Sequence, residues 1–435
     1  MKRLEIQDKA GYRAAADYIT ARSAPDETDV GIREKMEAAK QIVEAVRLRG
    51  DDAVAEFTAR FDGVRLDPSQ FEVTQEEMDA ALASVDPQLL AVLERAHANI
   101  RRFHSRNLRE SWQETFEDGT VLGQRITPVD SAGVYAPGGK AFYPSSVLMN
   151  IVPARVAGVK EIVLVSPPTY DGSIHPAMLA AARIAGATRV FRVGGAQAIA
   201  ALAYGTQHIP AVTKITGPGN VFVTAAKALV RHVVEIDSEA GPSEVVVIAD
   251  GRANPAYVAA EMLAQAEHDE DAAAVLITPD AGLADAVEAQ LEEDIAKLSR
   301  NAIIRTSLEK QGCIIVTRSL DEAVELADLF APEHLSIQVE YPMRLVEHIG
   351  NAGAIMVGDM TPVAAGDYYA GPNHILPTGR RARFSSPLSA EDFRKVSSVL
   401  YYTRDRLRKD ADDIRAFAGA EGLDAHARAV EVRTS

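Results

Sequence analysis

Between residues 161 and 357 the chain alternates short apolar runs with longer helical stretches, and this rhythm narrows the possible folds more than any other feature. Residues 161–165, 189–195, 212–215, 244–250, 274–278, 313–316 and 352–357 read as strands buried on both faces. Residues 175–184, 196–203, 222–233 and 284–297, and a stretch beginning at Asn254, carry helical patterns. Buried strands separated by helices of about 10–15 residues predict βαβ units and parallel sheets. Two such series are expected, divided near residue 236. Residues 30–109 are mostly helical in pattern, and the first 24 residues look like a short arm closed by Ser23-Ala-Pro-Asp-Glu-Thr-Asp29. Beyond Pro387 the chain turns helical and highly charged, as in Arg404-Asp-Arg-Leu-Arg-Lys-Asp410, which suggests a separate terminal lobe.

Length and charge set further limits. A chain of 435 residues exceeds one ordinary core and suggests several domains. With 47% hydrophobic and 25% charged residues it has the composition of a soluble globular protein. No run approaches the roughly 20 apolar residues that span a bilayer. The start, Met1-Lys-Arg-Leu-Glu-Ile-Gln-Asp8, has no apolar core of a secretory signal, so the expected location is cytoplasmic. Cys313 is the single cysteine. That excludes an intrachain disulfide and any cysteine-rich metal site, and it fits a reducing compartment. The net charge of −16 argues against binding nucleic acid or an anionic membrane. Arg380-Arg-Ala-Arg383 is too short to reverse this. Small molecules and other copies of the chain are the expected partners.

Several stretches carry chemistry. Asn254-Pro255 reads as an N-cap with proline at the first helical position. Val258, Met262 and Gln265 then share one line on the helix, with His268 three residues further. An inward amide and imidazole at that spacing either satisfy each other and the core, or offer a metal ion two ligands. Glycine-rich turns lie at Gly133-Val-Tyr135-Ala-Pro-Gly-Gly-Lys140, Gly194-Gly195-Ala-Gln197, Gly217-Pro-Gly219-Asn220 and Gly241-Pro-Ser243-Glu244. Parallel sheets bind ligands beyond the carboxyl ends of strands, where such turns let backbone approach a phosphate. The dinucleotide fingerprint is incomplete, because Phe222 stands where Gly217-x-Gly219 needs its third glycine. Ala331-Pro332-Glu333-His334-Leu335 offers an adjacent carboxylate and imidazole, expected in a loop, that can take protons near neutral pH. Gly366-Asp367 with Asn373-His374, and Glu421-Gly-Leu-Asp-Ala-His426, add further acid–imidazole sets. The helical zinc-protease motif and the serine-hydrolase elbow are both missing.

Taken in order, eight motifs resemble those of the histidinol dehydrogenases. They are Gly-Val-Tyr-Ala-Pro-Gly-Gly-Lys, Gly-Gly-Ala-Gln-Ala-Ile-Ala-Ala-Leu-Ala-Tyr-Gly-Thr, Gly-Pro-Gly-Asn, Ala-Gly-Pro-Ser-Glu-Val, Gln-Ala-Glu-His, Ala-Pro-Glu-His-Leu, Gly-Pro-Asn-His-Ile-Leu-Pro-Thr and Glu-Gly-Leu-Asp-Ala-His. The resemblance runs from about residue 30 to residue 433. It implies an α/β fold of two incomplete Rossmann-like domains with N-terminal and helical C-terminal extensions that pack in a homodimer. The implied division is an arm over 1–25, a metal and substrate domain over 26–128 and 237–381, an NAD domain over 129–236, and a dimerisation lobe over 382–435.

The resemblance also implies roles. One Zn²⁺ per subunit would be held by Gln265, His268, Asp367 and His426, with His426 and Glu421 completing the site of the other subunit. Ser243, His374 and Glu421 would help hold the substrate alongside the zinc ligands and His334. Tyr135, Gln197 and Asn220 match the family's NAD contacts. The implied reaction oxidises L-histidinol to L-histidine, the last step of histidine biosynthesis, using two equivalents of NAD through a bound aldehyde. His334 would accept protons in both steps and Glu333 would activate water in the second. The same apparatus could serve another small alcohol such as a sulfonated diol, although Glu421 and His426 favour histidinol. A zinc-binding dimer without turnover would need the four ligands but neither Glu333 nor His334.

Overall fold

The computed structural model describes residues 1–22, 30–106, 108–138, 142–239 and 241–435. The expected loop over 23–29, and Gly139-Lys140 of the first glycine-rich turn, lie outside the described residues. The chain opens with β1 (Lys2–Glu5) and α1 (Lys9–Arg22), then α2 (Val30–Arg49), α3 (Asp51–Phe61), α4 (Gln75–Ser84) and α5 (Pro87–Ser105). A hairpin of β2 (Trp112–Thr115) and β3 (Val121–Pro128) follows.

The first alternating series is β4 (Ser131–Tyr135), α6 (Pro144–Ala157), β5 (Glu161–Val165), α7 (Pro176–Ala185), β6 (Arg189–Phe191), α8 (Gly195–Tyr204), β7 (Lys214–Thr216), α9 (Val221–Val230) and β8 (Glu235–Ile236). Its strands form an all-parallel sheet in the order β6-β5-β4-β7-β8. The second series is β9 (Glu244–Ala249), α10 (Pro255–Ala266), β10 (Ala273–Thr278), α11 (Ala281–Ile295), α12 (Asn301–Gln311), β11 (Cys313–Val316), α13 (Leu320–Phe330), β12 (His334–Gln338) and β13 (Ala354–Val357). It forms a parallel sheet in the order β1-β11-β10-β9-β12-β13. Both sheets therefore wind outward in two directions from the first strand of their series, β4 or β9, which is the doubly wound order of a dinucleotide-binding fold without its sixth strand. The two expected series and their division near residue 236 correspond to these two sheets.

Two features were not visible in the pattern. The N-terminal arm is not free, because β1 supplies the edge strand next to β11. The other is where the helices between residues 30 and 105 pack. Val54 and Phe57 share a core with Tyr135, Val163 and Phe191, and Leu93 and Ile100 share one with Val134, Leu148 and Leu164. Helices α2–α5 thus cover the 129–236 sheet. The cause lies in α6 and α8, which are apolar on nearly every side and need an outer helical layer to bury them.

The C-terminal segment begins with β14 (Arg394–Tyr401), which pairs with β3 in a three-stranded antiparallel sheet, and ends in helices Arg404–Ala420 and Asp424–Thr434 packed on each other. Among the described residues no helix is long and apolar enough to cross a membrane.

Candidate active site

The glutamate and histidine expected in a loop stand at the start of a central strand. α13 ends in Ala331, whose left-handed φ of 52° turns the chain, and His334 then opens β12 between β9 and β13. The alternation Leu335, Ile337, Val339 was the signal for this strand. Glu333 and His334 are both buried. The Glu244 N–H donates to Glu333 Oε2 at 2.8 Å, and His334 Nδ1 lies 3.2 Å from the Glu244 carbonyl oxygen. A carbonyl only accepts, so Nδ1 carries a hydrogen and Nε2 is the atom that gains and loses the second proton. Nε2 sits 3.3 Å from Asp367 Oδ1. Burial opposes charge on His334, but Glu333 and Asp367 outweigh it and raise the ring to about 9.

This pair lies at the amino ends of β9 and β12, since the Gly241-Pro-Ser243 turn leads into β9 rather than out of a strand. The Glu333–His334 pair and the Gly241-Pro-Ser243 turn thus lie at the opposite end of this sheet from its carboxyl ends. α10 explains the placement: it runs back from the far end of β9 and delivers its last turn to the same edge. Asn254 caps it, accepting the Ala256 N–H at 3.0 Å. Val258, Met262 and Gln265 all face the core, as their spacing predicts, and Gln265 is only 2% exposed.

Gln265 Nε2 has no hydrogen-bond partner among the described residues. His268 is exposed in the single chain, and partial desolvation of its ring lowers it from 6.5 against the pull of Asp367. Burial pushes the Asp367 carboxyl up, but hydrogen bonding and attraction from His334, with His374 and His268, bring it below the usual range. His374 Nδ1 donates to the Asp367 carbonyl at 2.9 Å, and its Nε2 meets Ser146 Oγ at 3.2 Å. An orphaned amide, a neutral imidazole and an ionised carboxylate are the N/O donor set that zinc takes in catalytic sites. Among the described residues no three His, Cys, Asp or Glu side chains are grouped to hold a metal. His426 and Glu421 are exposed on the C-terminal helices, and the single chain does not bring them to this site.

The residues expected to contact NAD lie at the carboxyl ends of the five-stranded sheet. The Tyr135 hydroxyl accepts the Gly195 N–H at 3.3 Å, and burial lifts it to about 12. Gln197 is buried with neither amide atom partnered among the described residues, and the same holds for Ser166 Oγ and Thr216 Oγ1 beside it. Ser166 and Thr216 at strand ends and Gln197 in the first turn of α8 thus leave buried polar atoms that could take donors and acceptors from a ligand. Asn220 caps α9, accepting from Phe222 N at 3.0 Å and Val223 N at 3.1 Å, which leaves its NH₂ free to donate. Gly217 has φ of 114°, and a Cβ there would overlap the Tyr135 carbonyl. Buried Lys227 and Asp237 pair with each other and grip the carbonyl and N–H of Gly217.

A cavity of about 70 Å³ joins the two halves, lined by Gly217, Pro218, Ser243, Glu333, His374 and Thr378. A larger groove of about 760 Å³ over β3 and β14, between Arg125, Lys160 and Lys395, holds none of these groups. Sequence reasoning missed Glu244, Ser146 and the Lys227–Asp237 clamp, whose roles arise only from contacts across the fold. It also missed Asp62, a carboxyl that burial lifts to about 6 and whose charge acts on Tyr135.

The family model described as "Histidinol dehydrogenase" matches residues 26–434. A histidinol dehydrogenase of Heliobacterium mobile is 50% identical over 418 residues, 96% of this chain and 97% of that protein. Another, from Geobacter sulfurreducens, is 49% identical over 434 residues, 100% of both chains. The crystal structure of histidinol dehydrogenase from Elizabethkingia anophelis is similar with a TM-score of 0.92 at 34% identity, over 100% of this chain and 98% of that one.

Proposed function

The chain belongs to the histidinol dehydrogenase family, and from that premise we propose that it oxidises L-histidinol to L-histidine in two NAD-linked steps at Glu333 and His334. The observation that carries this reading is the buried pairing of the two residues, both fixed by the backbone of Glu244, with His334 Nε2 facing Asp367 at 3.3 Å. Gln265, His268 and Asp367 would hold zinc, with His426 from a second copy. When bound, zinc would grip the substrate's amino and imidazole nitrogens, and NAD would accept a hydride in each oxidation.

The chain's own groups account for the protons. His334 Nε2, once it has released the proton that the raised ring holds at neutral pH, takes the hydroxyl proton as alcohol becomes aldehyde. Glu333 then takes a proton from water as its oxygen adds to the aldehyde carbon, while His334 returns its proton to the carbonyl oxygen to give the hydrate. His334 receives the hydroxyl proton of the resulting hydrate as acid forms. Ser243 and His374, on the cavity wall with Glu333, orient the substrate. Tyr135, Gln197 and Asn220 would contact the dinucleotide. The exposed positions of Glu421 and His426 support their service to a neighbouring copy in a homodimer.

Glu333→Gln tests the division of labour. It should keep formation of aldehyde from alcohol while slowing aldehyde to acid by about 10²-fold or more. Equal losses in both half-reactions would remove Glu333 from the role of base.

A further inference from the structure

Glu244 is buried directly beside the residue read above as the base, and no role has been given to its side chain. β9 and β12 are parallel neighbours with His334 level with Val245, so Glu333 and Glu244 stand opposite each other one step earlier. Residues level across parallel strands point to the same side of the sheet. Both glutamates are 7% exposed. Two carboxylates so placed and so buried cannot both be charged at modest cost.

Their surroundings are unequal. Burial pushes the Glu333 carboxyl up as it does Glu244, but Glu333 has donors to hold its charge: Oε2 accepts the Glu244 N–H at 2.8 Å and lies 3.6 Å from His334 Nδ1, and the Ser243 hydroxyl adds to them. Glu244 Oε1 accepts the Gly379 N–H at 3.2 Å, but its Oε2 finds no donor among the described residues. A buried oxygen without a donor suits a protonated carboxyl and penalises a charged one. We propose that Glu244 and Glu333 act as one carboxyl pair with a single negative charge, in which Glu244 keeps the proton and so leaves Glu333 an anionic base.

Glu244 is then a positioning residue. Its backbone aligns Glu333 and His334, and its neutral side chain spares Glu333 a second charge. The groups facing it are Glu333 and His334 from β12, the N–H of Gly379 from the 374–383 segment, and uncharged Ala273 from β10. Burial first, and then Glu333, push Glu244 up to about 8. The proposal rests on Glu333 being the base of the second oxidation.

Infrared titration of the zinc-loaded enzyme tests it, with Glu244→Gln and Glu333→Gln beside wild type. Wild type should show a protonated-carboxyl band at neutral pH that fades near pH 8. Glu244→Gln should lose this band. Glu333→Gln should keep it but titrate it at lower pH, since the neighbouring charge is gone. The pH profile of the aldehyde-to-acid step should show an alkaline break in wild type that Glu244→Gln lacks. Absence of the band from wild type, its survival in Glu244→Gln, or an unmoved titration in Glu333→Gln would overturn the pair. If Glu244→Gln does not fold, the other two proteins still decide. A coupled pair in a Glu333→Gln enzyme that slows both half-reactions equally would instead reject the base while keeping the pair.

Discussion

The carbonyl oxygen of Glu244 lies 3.2 Å from Nδ1 of His334 and thereby decides which ring nitrogen performs chemistry. With Nδ1 committed as a donor, Nε2 alone is left to exchange protons with a substrate. His334→Asn places an amide N–H near the old Nδ1 position and removes Nε2. The melting temperature should stay close to wild type, while both half-reactions fall by about 10²- to 10⁴-fold. A variant that loses only one half-reaction would show that His334 does not serve both.

Gln265 is proposed as a ligand because the fold gives its amide nitrogen no partner among the described residues. Its Nε2 is buried without a partner among the described residues, a condition that costs about 1–3 kcal/mol. Gln265→Leu should therefore melt no lower than wild type when both are stripped of metal. After zinc loading and dialysis it should retain much less zinc per chain. Full zinc retention would take Gln265 out of the ligand set.

His104 predicts an acid-sensitive fold away from the site. It is buried in α5, and neither ring nitrogen has a partner among the described residues. Burial lowers it from 6.5 to about 4, with Asp392 pulling weakly the other way. Above pH 6.5 the ring is neutral whether folded or unfolded, so it adds no pH dependence there. Below that, the unfolded chain takes up a proton that the folded one resists. Stability should fall by about 2–4 kcal/mol as pH drops from 6.5 towards 4. His104→Phe should remove that part of the slope in melting curves taken across this range. An unchanged slope would assign the acid sensitivity to other groups.

What was legible in the sequence depended on local spacing. Val258, Met262, Gln265 and His268 could be placed because a helix repeats every 3.6 residues, and Asn254 marked its start. Most strands of both sheets announced themselves as apolar runs, but β1, β4, β8 and β12 did not. His334 was misread because Ala331-Pro332 and two polar residues look like a turn, although the strand's own apolar alternation begins at Leu335. Glu244 carried no local signal, since its importance comes from lying level with Glu333 on a strand about 90 residues away in sequence. The side taken by α2–α5 was hidden for the same reason. Glu421 and His426 could be named from their motif, but no pattern within one chain says which site they serve.

The central claim is that one site carries out two successive oxidations of histidinol with zinc in place. The most direct measurement is NADH formed per L-histidinol consumed, before chelation, after it, and after zinc is restored. The account predicts two NADH per substrate, loss on chelation, and recovery with zinc. A single NADH per substrate, or turnover that survives complete removal of metal, would contradict it.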